Sequence, residues 1–297
     1  MPGMTLSDLT IRAMTRREAN RLVEWAANEG WNPGLHDADL FWEAEPNAFI
    51  AAEMDGELIG GGTIASYGGE FGFMGFFIVR PDWRGQGLGD RLWQNRREML
   101  LSRLKPGRPI GMDGVFTMQD YYAKGGFVFA HRDLRFQFTI PTDWPTTEAA
   151  MRADAALAPL SEVPFAEVTA YDRTCFPAPR EPFLERWIAQ EGALSLGYVK
   201  DGKLAGFGTI RPCREGTKIG PLFADDDEAA EALFCALAAH GKDGLVTLDV
   251  PETHPGAMAL VKRHGLREVF GCARMYLGQA PALDEKRIYG ITTFELG

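Results

Sequence analysis

The chain has 297 residues, 45% of them hydrophobic and 24% charged, with a formal net charge of −10 at pH 7. That length favours two domains and that balance is ordinary for a globular protein, while the acidic surplus argues against a nucleic-acid partner and agrees with a cationic small substrate. No apolar stretch is long enough to span a membrane, and the opening residues lack the basic-then-apolar order of a signal peptide, so a cytoplasmic protein without a membrane partner is expected, a homodimer being left open.

Residues 9–14 alternate as a first strand. Thr15, with Glu18 three residues on, forms a capping box for a helix whose Ala19, Leu22, Val23 and Ala26 make one apolar stripe. Gly30 is placed to stop it. Trp31-Asn32-Pro33-Gly34-Leu35-His36-Asp37 is a loop dense in turn formers, where turn chemistry and helix capping are sufficient reason for Asn32 and Asp37. Phe49–Met54 and Glu57–Tyr67 read as strands joined by an Asp55-Gly56 hairpin turn. Gly68-Gly69 then leads into Phe71–Val79, apolar on both faces as a central strand is. A helix over 90–104 buries Leu88, Leu92 and Met99 and ends at Pro106-Gly107. A strand at Ile110–Val115, a short helix near 117–124 and a strand over 127–138 follow. Residues 139–164, rich in Pro, Thr and Ala, read as a linker with a short helix near 148–156.

The stretch Val79-Arg80-Pro81-Asp82-Trp83-Arg84-Gly85-Gln86-Gly87-Leu88-Gly89 lies between the central strand and the helix. Three glycines in five positions leave the backbone open on one side. The helix start adds free N–H groups and the positive end of the helix dipole, which together cradle an anion. A Walker loop requires Gly-Lys-Ser/Thr at this point, and the chain has Gly89-Asp90-Arg91. A dinucleotide fingerprint opens a run of parallel strand–helix units, which the flanking pattern is not.

The spacing Arg84-x-x-Gly87-x-Gly89, entered through Arg80-Pro81, resembles the acetyl-CoA loop of the GNAT N-acetyltransferases. The resemblance implies coenzyme contacts at Arg84, Gly85, Gln86, Gly87, Leu88, Gly89 and Asp90, with the amides from Gly85 to Asp90 on the pyrophosphate. It implies backbone bonds from Ile78 and Val79 to the pantetheine arm. Tyr122-Ala123-Lys124-Gly125-Gly126-Phe127 resembles the family's Tyr followed four residues later by Gly-Phe, which gives Tyr122 the role of protonating the departing thiolate. The chemistry suits it: a thiol has a pKa of about 8.5, and a phenol, near about 10, is protonated at neutral pH. One departure is Val115, where many relatives carry Asn. Because the loop between the first two helices walls the acceptor site in the family, Asn32 and Asp37 are also candidate substrate contacts. The acceptor ammonium must lose a proton, and Glu70 and Asp113, at strand ends, are the candidate bases.

The second half repeats the first. Asp55-Gly56-Glu57-Leu58-Ile59-Gly60-Gly61-Gly62-Thr63-Ile64 aligns with Asp201-Gly202-Lys203-Leu204-Ala205-Gly206-Phe207-Gly208-Thr209-Ile210. Met112-Asp113-Gly114-Val115 matches Leu248-Asp249-Val250-Pro251, and Lys124-Gly125-Gly126-Phe127 matches Arg263-His264-Gly265-Leu266. Three matches in one order indicate a duplicated fold. The copy lacks the glycine loop, reading Gly220-Pro221-Leu222-Phe223-Ala224-Asp225-Asp226-Asp227-Glu228 there, and has Val261 where the first half has Tyr122. This resembles bacterial tandem-GNAT proteins with a degenerate C-terminal domain. The expectation is an α/β (α+β) fold of two GNAT-like domains, 1–140 and 160–297, joined by a linker over 141–159, each a mixed, mainly antiparallel sheet flanked by helices. Acetyl from acetyl-CoA would pass to a primary amine of a small molecule by direct attack in a ternary complex. The alternatives are a module that senses acyl-CoA without turnover and an acyltransferase with another donor or acceptor. The four cysteines, Cys175, Cys213, Cys235 and Cys272, form no Cys-x-x-Cys pair, so free thiols and no metal are expected.

Overall fold

The computed structural model describes residues 9–241 and 244–297. The first half runs β1 (Leu9–Ala13), α1 (Arg16–Asn28), α2 (Asp37–Ala44), β2 (Phe49–Met54), β3 (Glu57–Tyr67), β4 (Phe71–Val79), α3 (Leu88–Arg103), β5 (Ile110–Val115), α4 (Gln119–Lys124) and β6 (Val128–Thr139). Then come α5 (Thr147–Ala153), β7 (Leu157–Pro159), α6 (Phe165–Cys175), α7 (Glu181–Ile188), β8 (Leu194–Lys200), β9 (Lys203–Pro212), β10 (Thr217–Ala224), α8 (Asp227–Ala238), β11 (Leu245–Pro251), α9 (Pro255–Arg263), β12 (Arg267–Leu277) and β13 (Ile288–Gly290).

Local chemistry sets many of these boundaries. Thr15 and Glu18 close the capping box on α1, whose buried face is Ala19, Leu22, Val23 and Ala26. Asp55 and Gly56 both have positive φ, 50° and 79°, as a two-residue hairpin turn matched to strand twist requires. Helix α3 begins at Leu88, two residues before the expected start, and turns Leu92, Trp93, Arg96 and Leu100 inward, leaving Met99 half-buried. The region 141–159 holds α5 and the edge strand β7, which pairs with β8. Helix α2, which follows the first loop, is eight residues long with Asp37 and Asp39 in its first turn.

All strands join one sheet, in the order β1-β2-β3-β4-β5-β12-β6-β11-β10-β9-β8-β7, with β13 alongside β10. Among the described residues only β4–β5 and β10–β11 pair in parallel; the other pairs are antiparallel. At the centre the halves exchange strands. β12, from the second half, lies between β5 and β6; β6, from the first, lies between β12 and β11. The two halves therefore share a continuous hydrogen-bonded ladder.

A buried charged seam runs over this centre. Arg135 on β6 grips Asp249 on β11 through two bonds of 2.7 and 2.8 Å. Arg211 on β9 grips Asp37 through two of 3.1 Å. Arg274 on β12 grips Asp113 on β5 through two of 2.7 Å. Lys218 donates to the Asn32 carbonyl at 3.0 Å. All seven side chains named are a tenth exposed or less. Buried ions carry a desolvation cost that their pairing has to offset, and removing one partner costs about 3–5 kcal/mol. The apolar layer beside the seam also mixes the halves, with Phe41 stacked on Phe183 and Trp187 and tilted against Phe76.

A chain ending at Thr142 would strip β12 from β5 and leave β6 without either neighbour, exposing unpaired strand edges. The expected outcome is an aggregated fragment without a cooperative calorimetric transition; a monomeric fragment with full acyl-transfer activity would contradict it.

Candidate active site

Strands β4 and β5 pair only at Gly72, Phe73 and Met74, facing Ile110, Gly111 and Met112. Beyond Met74 they part. A bulge starts the separation: β3 steps from Thr63 to Gly61 while β4 steps from Gly75 to Ile78. Phe76, within the bulge, has φ +49°, a left-handed conformation that costs a bulky residue strain. The edge of β4 from Gly75 to Val79 thus faces a gap instead of a strand.

The glycine stretch closes one end of this gap. Gly85 and Gly87 have φ of 77° and 79°. Gly87 is the N-cap of α3, and no side chain caps that helix start. The amides of Leu88, Gly89 and Asp90 are first-turn donors of the kind a helix leaves unpaired. Residues 84–87 are exposed, Gln86 donates to the Asp82 carbonyl at 3.2 Å, and Leu88 turns its side chain into the core. Arg84 is braced: its Nε donates to the Val79 carbonyl at 2.7 Å, and its Nη2 is ion-paired with Glu29.

A cavity of about 530 Å³ follows the gap from this loop into the space between the halves. Ile78, Val79, Arg84, Gly85, Gly89 and Asp90 line its loop end. Tyr122 lines its wall, packed on Trp93 with ring centroids 4.9 Å apart. Burial pushes the Tyr122 phenol up to about 12. Tyr121, beside it, is hydrogen-bonded to Asp90, and burial with that contact raises its phenol. Asp113 also lines the cavity, fully buried; burial and the neighbouring Asp133 raise its carboxyl against the pull of Arg274.

The remaining expected residues are elsewhere. Glu70 is not brought to the cavity: it lies in the turn before β4, ion-paired with Lys105 and, at 2.7 Å, with Arg108, which hold its carboxyl below the usual range. Asn32 and Asp37 are not brought to it either. Asn32, at φ +48°, exchanges two 2.9 Å bonds with the backbone of Glu215, and Asp37 is enclosed by Arg211 and the Gly34 amide. Burial would raise the Asp37 carboxyl, and Arg211 with Gly34 holds it below the usual range. These two residues stitch the first loop to the second half, where their polar groups are used up.

Sequence reasoning missed the wall supplied by the second half. Phe270 and Cys272 of β12 and Phe294 and Glu295 of the C-terminal segment line the cavity. Gly75 has a packing reason: a Cβ there would overlap the Glu295 carbonyl oxygen. Glu295 is 3% exposed and accepts the Thr293 hydroxyl. Among the described residues, it is the cavity glutamate with no cationic partner within ion-pair distance. No periodicity or motif marks the segment, whose residues mix polar and apolar types without a regular pattern.

That segment treats the second half differently. The gap between β10 and β11 is filled by β13, which pairs with β10 at Leu222 and Phe223, while Ile291 donates to the Asp249 carbonyl at 3.0 Å. The start of α8 is satisfied internally: Asp226 caps the Ala229 amide at 2.9 Å, and the Tyr289 hydroxyl donates to Asp227 at 2.5 Å. Val261, the counterpart of Tyr122, is buried core. Away from either gap, Glu231, Cys235 and His264 bring a carboxylate, a thiol and an imidazole together, with His264 and Arg263 both on Glu231. All four cysteines are free.

Comparison with known proteins agrees with this geometry. A model described as the acetyltransferase (GNAT) family matches residues 16–112, and one described as an acetyltransferase (GNAT) domain matches 168–290, together most of the chain. A holothin acyltransferase from Pseudoalteromonas sp. (strain SANK 73390) is 28% identical over 277 residues, covering 92% of this chain and 90% of that protein. A Pyrococcus horikoshii protein solved as a candidate acetyltransferase superposes with a TM-score of 0.81 at 22% identity, covering 100% of this chain and 99% of that one. A tandem GNAT protein from the clavulanic acid biosynthesis pathway gives 0.61 at 13% identity, covering 92% and 99%. With one GNAT unit matched in each half and an acyltransferase aligned along nearly its whole length, the chain belongs to the GNAT acetyltransferase family as a tandem-domain acyltransferase.

Proposed function

We propose that the protein transfers an acetyl group from acetyl-CoA to a primary amine of a small molecule, by direct attack within a ternary complex. The observation that carries this reading is one continuous cavity joining the uncapped start of α3 to the Tyr122 phenol. Pyrophosphate on the amides from Gly85 to Asp90 would lay the pantetheine arm along the free edge of β4 at Ile78 and Val79, with the thioester towards Tyr122. The amine nitrogen then forms a bond to the thioester carbon, the C–S bond breaks, and the sulfur takes the phenol proton. The raised Tyr122 pKa keeps that proton in place at neutral pH.

The acceptor enters between the halves, where Trp31, Phe294 and Glu295 line the cavity. We assign the ammonium to Glu295, because Asp113 is already gripped on both oxygens by Arg274. Glu295 would hold the cation and receive its proton, and Asp113 would set the local field. We divide the chain into a catalytic domain (1–140), a linker (141–159) and a degenerate domain (160–297) that completes the acceptor wall. Alignment of the holothin acyltransferase with both halves supports a whole-chain site.

Acetyl-CoA-dependent thiol release across a panel of amino acids, polyamines and aminoglycosides tests the reading directly. Tyr122→Phe is expected to lower kcat about 10²-fold or more with acetyl-CoA affinity nearly unchanged; equal turnover would reduce Tyr122 to packing. Glu295→Gln should raise the acceptor KM and lower kcat/KM about tenfold or more while coenzyme binding stays as it was, and unchanged acceptor kinetics would remove it from the site. Calorimetry should give one coenzyme per chain, because β13 and the aspartates of α8 take the second gap. Gly87→Val, placing a β-branched residue at φ +79°, should abolish that binding in a folded protein. Two coenzymes per chain, or unchanged affinity in the variant, would refute the loop assignment.

A further inference from the structure

Arg96 lies on α3, about two turns past the glycine start, and is fully buried. Among the described residues it has no carboxylate partner, unlike the arginines of the central seam. Its Nη2 donates to two carbonyls at the bulge, Thr63 at 2.5 Å and Gly75 at 2.6 Å. Nε and Nη1 have no hydrogen-bond partner, although the group lines the cavity that holds Tyr122. The fold makes room for it: a Cβ at Gly62 would overlap the guanidinium, and Phe77 presents its ring 5.5 Å away. A buried cation with free donors is costly, and tying down two carbonyls accounts for one of its three nitrogens.

The geometry also says what those donors can take. Each two-pronged edge of a guanidinium includes Nη2, and here both Nη2 hydrogens are used. A carboxylate or phosphate that needs a fork is therefore a poor match. A single oxygen with a lone pair fits. The bulge that Arg96 braces is where β4 and β5 part, so the free donors sit beside the opening and near Tyr122.

Resting on the acetyl-CoA reading above, we infer that Arg96 donates to the acyl oxygen of the bound thioester and stabilises the charge that oxygen gains during attack. As the amine nitrogen bonds to the carbonyl carbon, the π pair moves onto oxygen, held by the guanidinium. Collapse re-forms the carbonyl and breaks the C–S bond with its pair on sulfur. The Tyr122 proton goes to sulfur; of the two protons the acceptor ammonium loses, the first goes to Glu295 before attack and the second restores the Tyr122 phenol. Donors fixed in advance at a developing oxyanion, in a site shielded from water, contribute strongly to rate. Arg96 is thus a catalytic residue of this chain, distinct from the backbone amides that hold the coenzyme.

The test pairs Arg96→Met with Arg96→Lys and reads binding separately from chemistry. Arg96→Met should lose about 10²-fold or more in kcat, with the calorimetric Kd for coenzyme A, which has no acyl oxygen, within about threefold of the parent. Arg96→Lys should recover at least about tenfold of the loss by returning the charge. In the unaltered protein, infrared difference spectra of bound acetyl-CoA labelled with 13C at the carbonyl should show the stretch below its frequency in water. That shift should vanish in Arg96→Met. Should Arg96→Met not fold, the spectrum of the unaltered protein and the lysine variant decide. An unshifted carbonyl in bound acetyl-CoA, a kcat within threefold in a folded Arg96→Met, or a change confined to KM overturns the assignment alone. Failure of the unaltered protein to bind acetyl-CoA overturns the donor reading and this assignment with it.

Discussion

Strands β6 and β12 each lie between a strand of the other half and one another, and the rest of the structure depends on that exchange. Each central strand needs two neighbours to satisfy its N–H and C=O groups in a buried sheet. By lending its last long strand across, each half leaves its own ladder incomplete without the other. The gap between β4 and β5 therefore stands beside a strand that the second half supplies, since β5 is held in place by β12.

The exchange brings charged side chains into the interior, and their pairing follows from it. Arg135 meets Asp249, and Arg274 meets Asp113, across neighbouring strands in direct register. Arg211 meets Asp37 where the first loop crosses the second half. These pairs fix the relative placement of the halves more specifically than an apolar seam would, because a slipped register would leave charges buried and unpartnered. Glu295 and Arg96 differ from them: among the described residues, each is buried at the cavity without an ion-pair partner.

The two halves keep one scaffold and differ where chemistry enters. A glycine at the N-cap of α3 leaves its helix start open, whereas Asp226 closes that of α8 with its own side chain. The C-terminal segment completes the asymmetry. Its strand β13 fills the second gap, and the residues after it cross to the first gap and line it. One piece of chain thus fills the gap in one half and lines the gap in the other.

The sequence by itself determined what depends on near neighbours: the capping box of Thr15 and Glu18, the Asp55-Gly56 turn, the apolar central strand, the glycine-rich helix start and the duplicated pattern with its second copy stripped of loop and tyrosine. Each is written within a few residues, where backbone sterics and local hydrogen bonds decide the outcome. Tertiary structure alone decided which polar residues would meet. Asp37 and Arg211 are 174 positions apart, Asp113 and Arg274 are 161 apart, and no local pattern couples them. Asn32 and Asp37 read from the sequence as turn or cap residues and as candidate substrate contacts, and the fold placed them in the seam between the halves. Glu295 carried no periodic signal and reached the cavity because β13 anchors the segment before it. Arg96 shares the buried face of α3 with Leu92 and Leu100, and only the folded chain brings the Thr63 and Gly75 carbonyls and the missing side chain at Gly62 to its guanidinium. Long-range pairing and burial set the charge of a site, and those are properties of the folded chain rather than of any stretch of it.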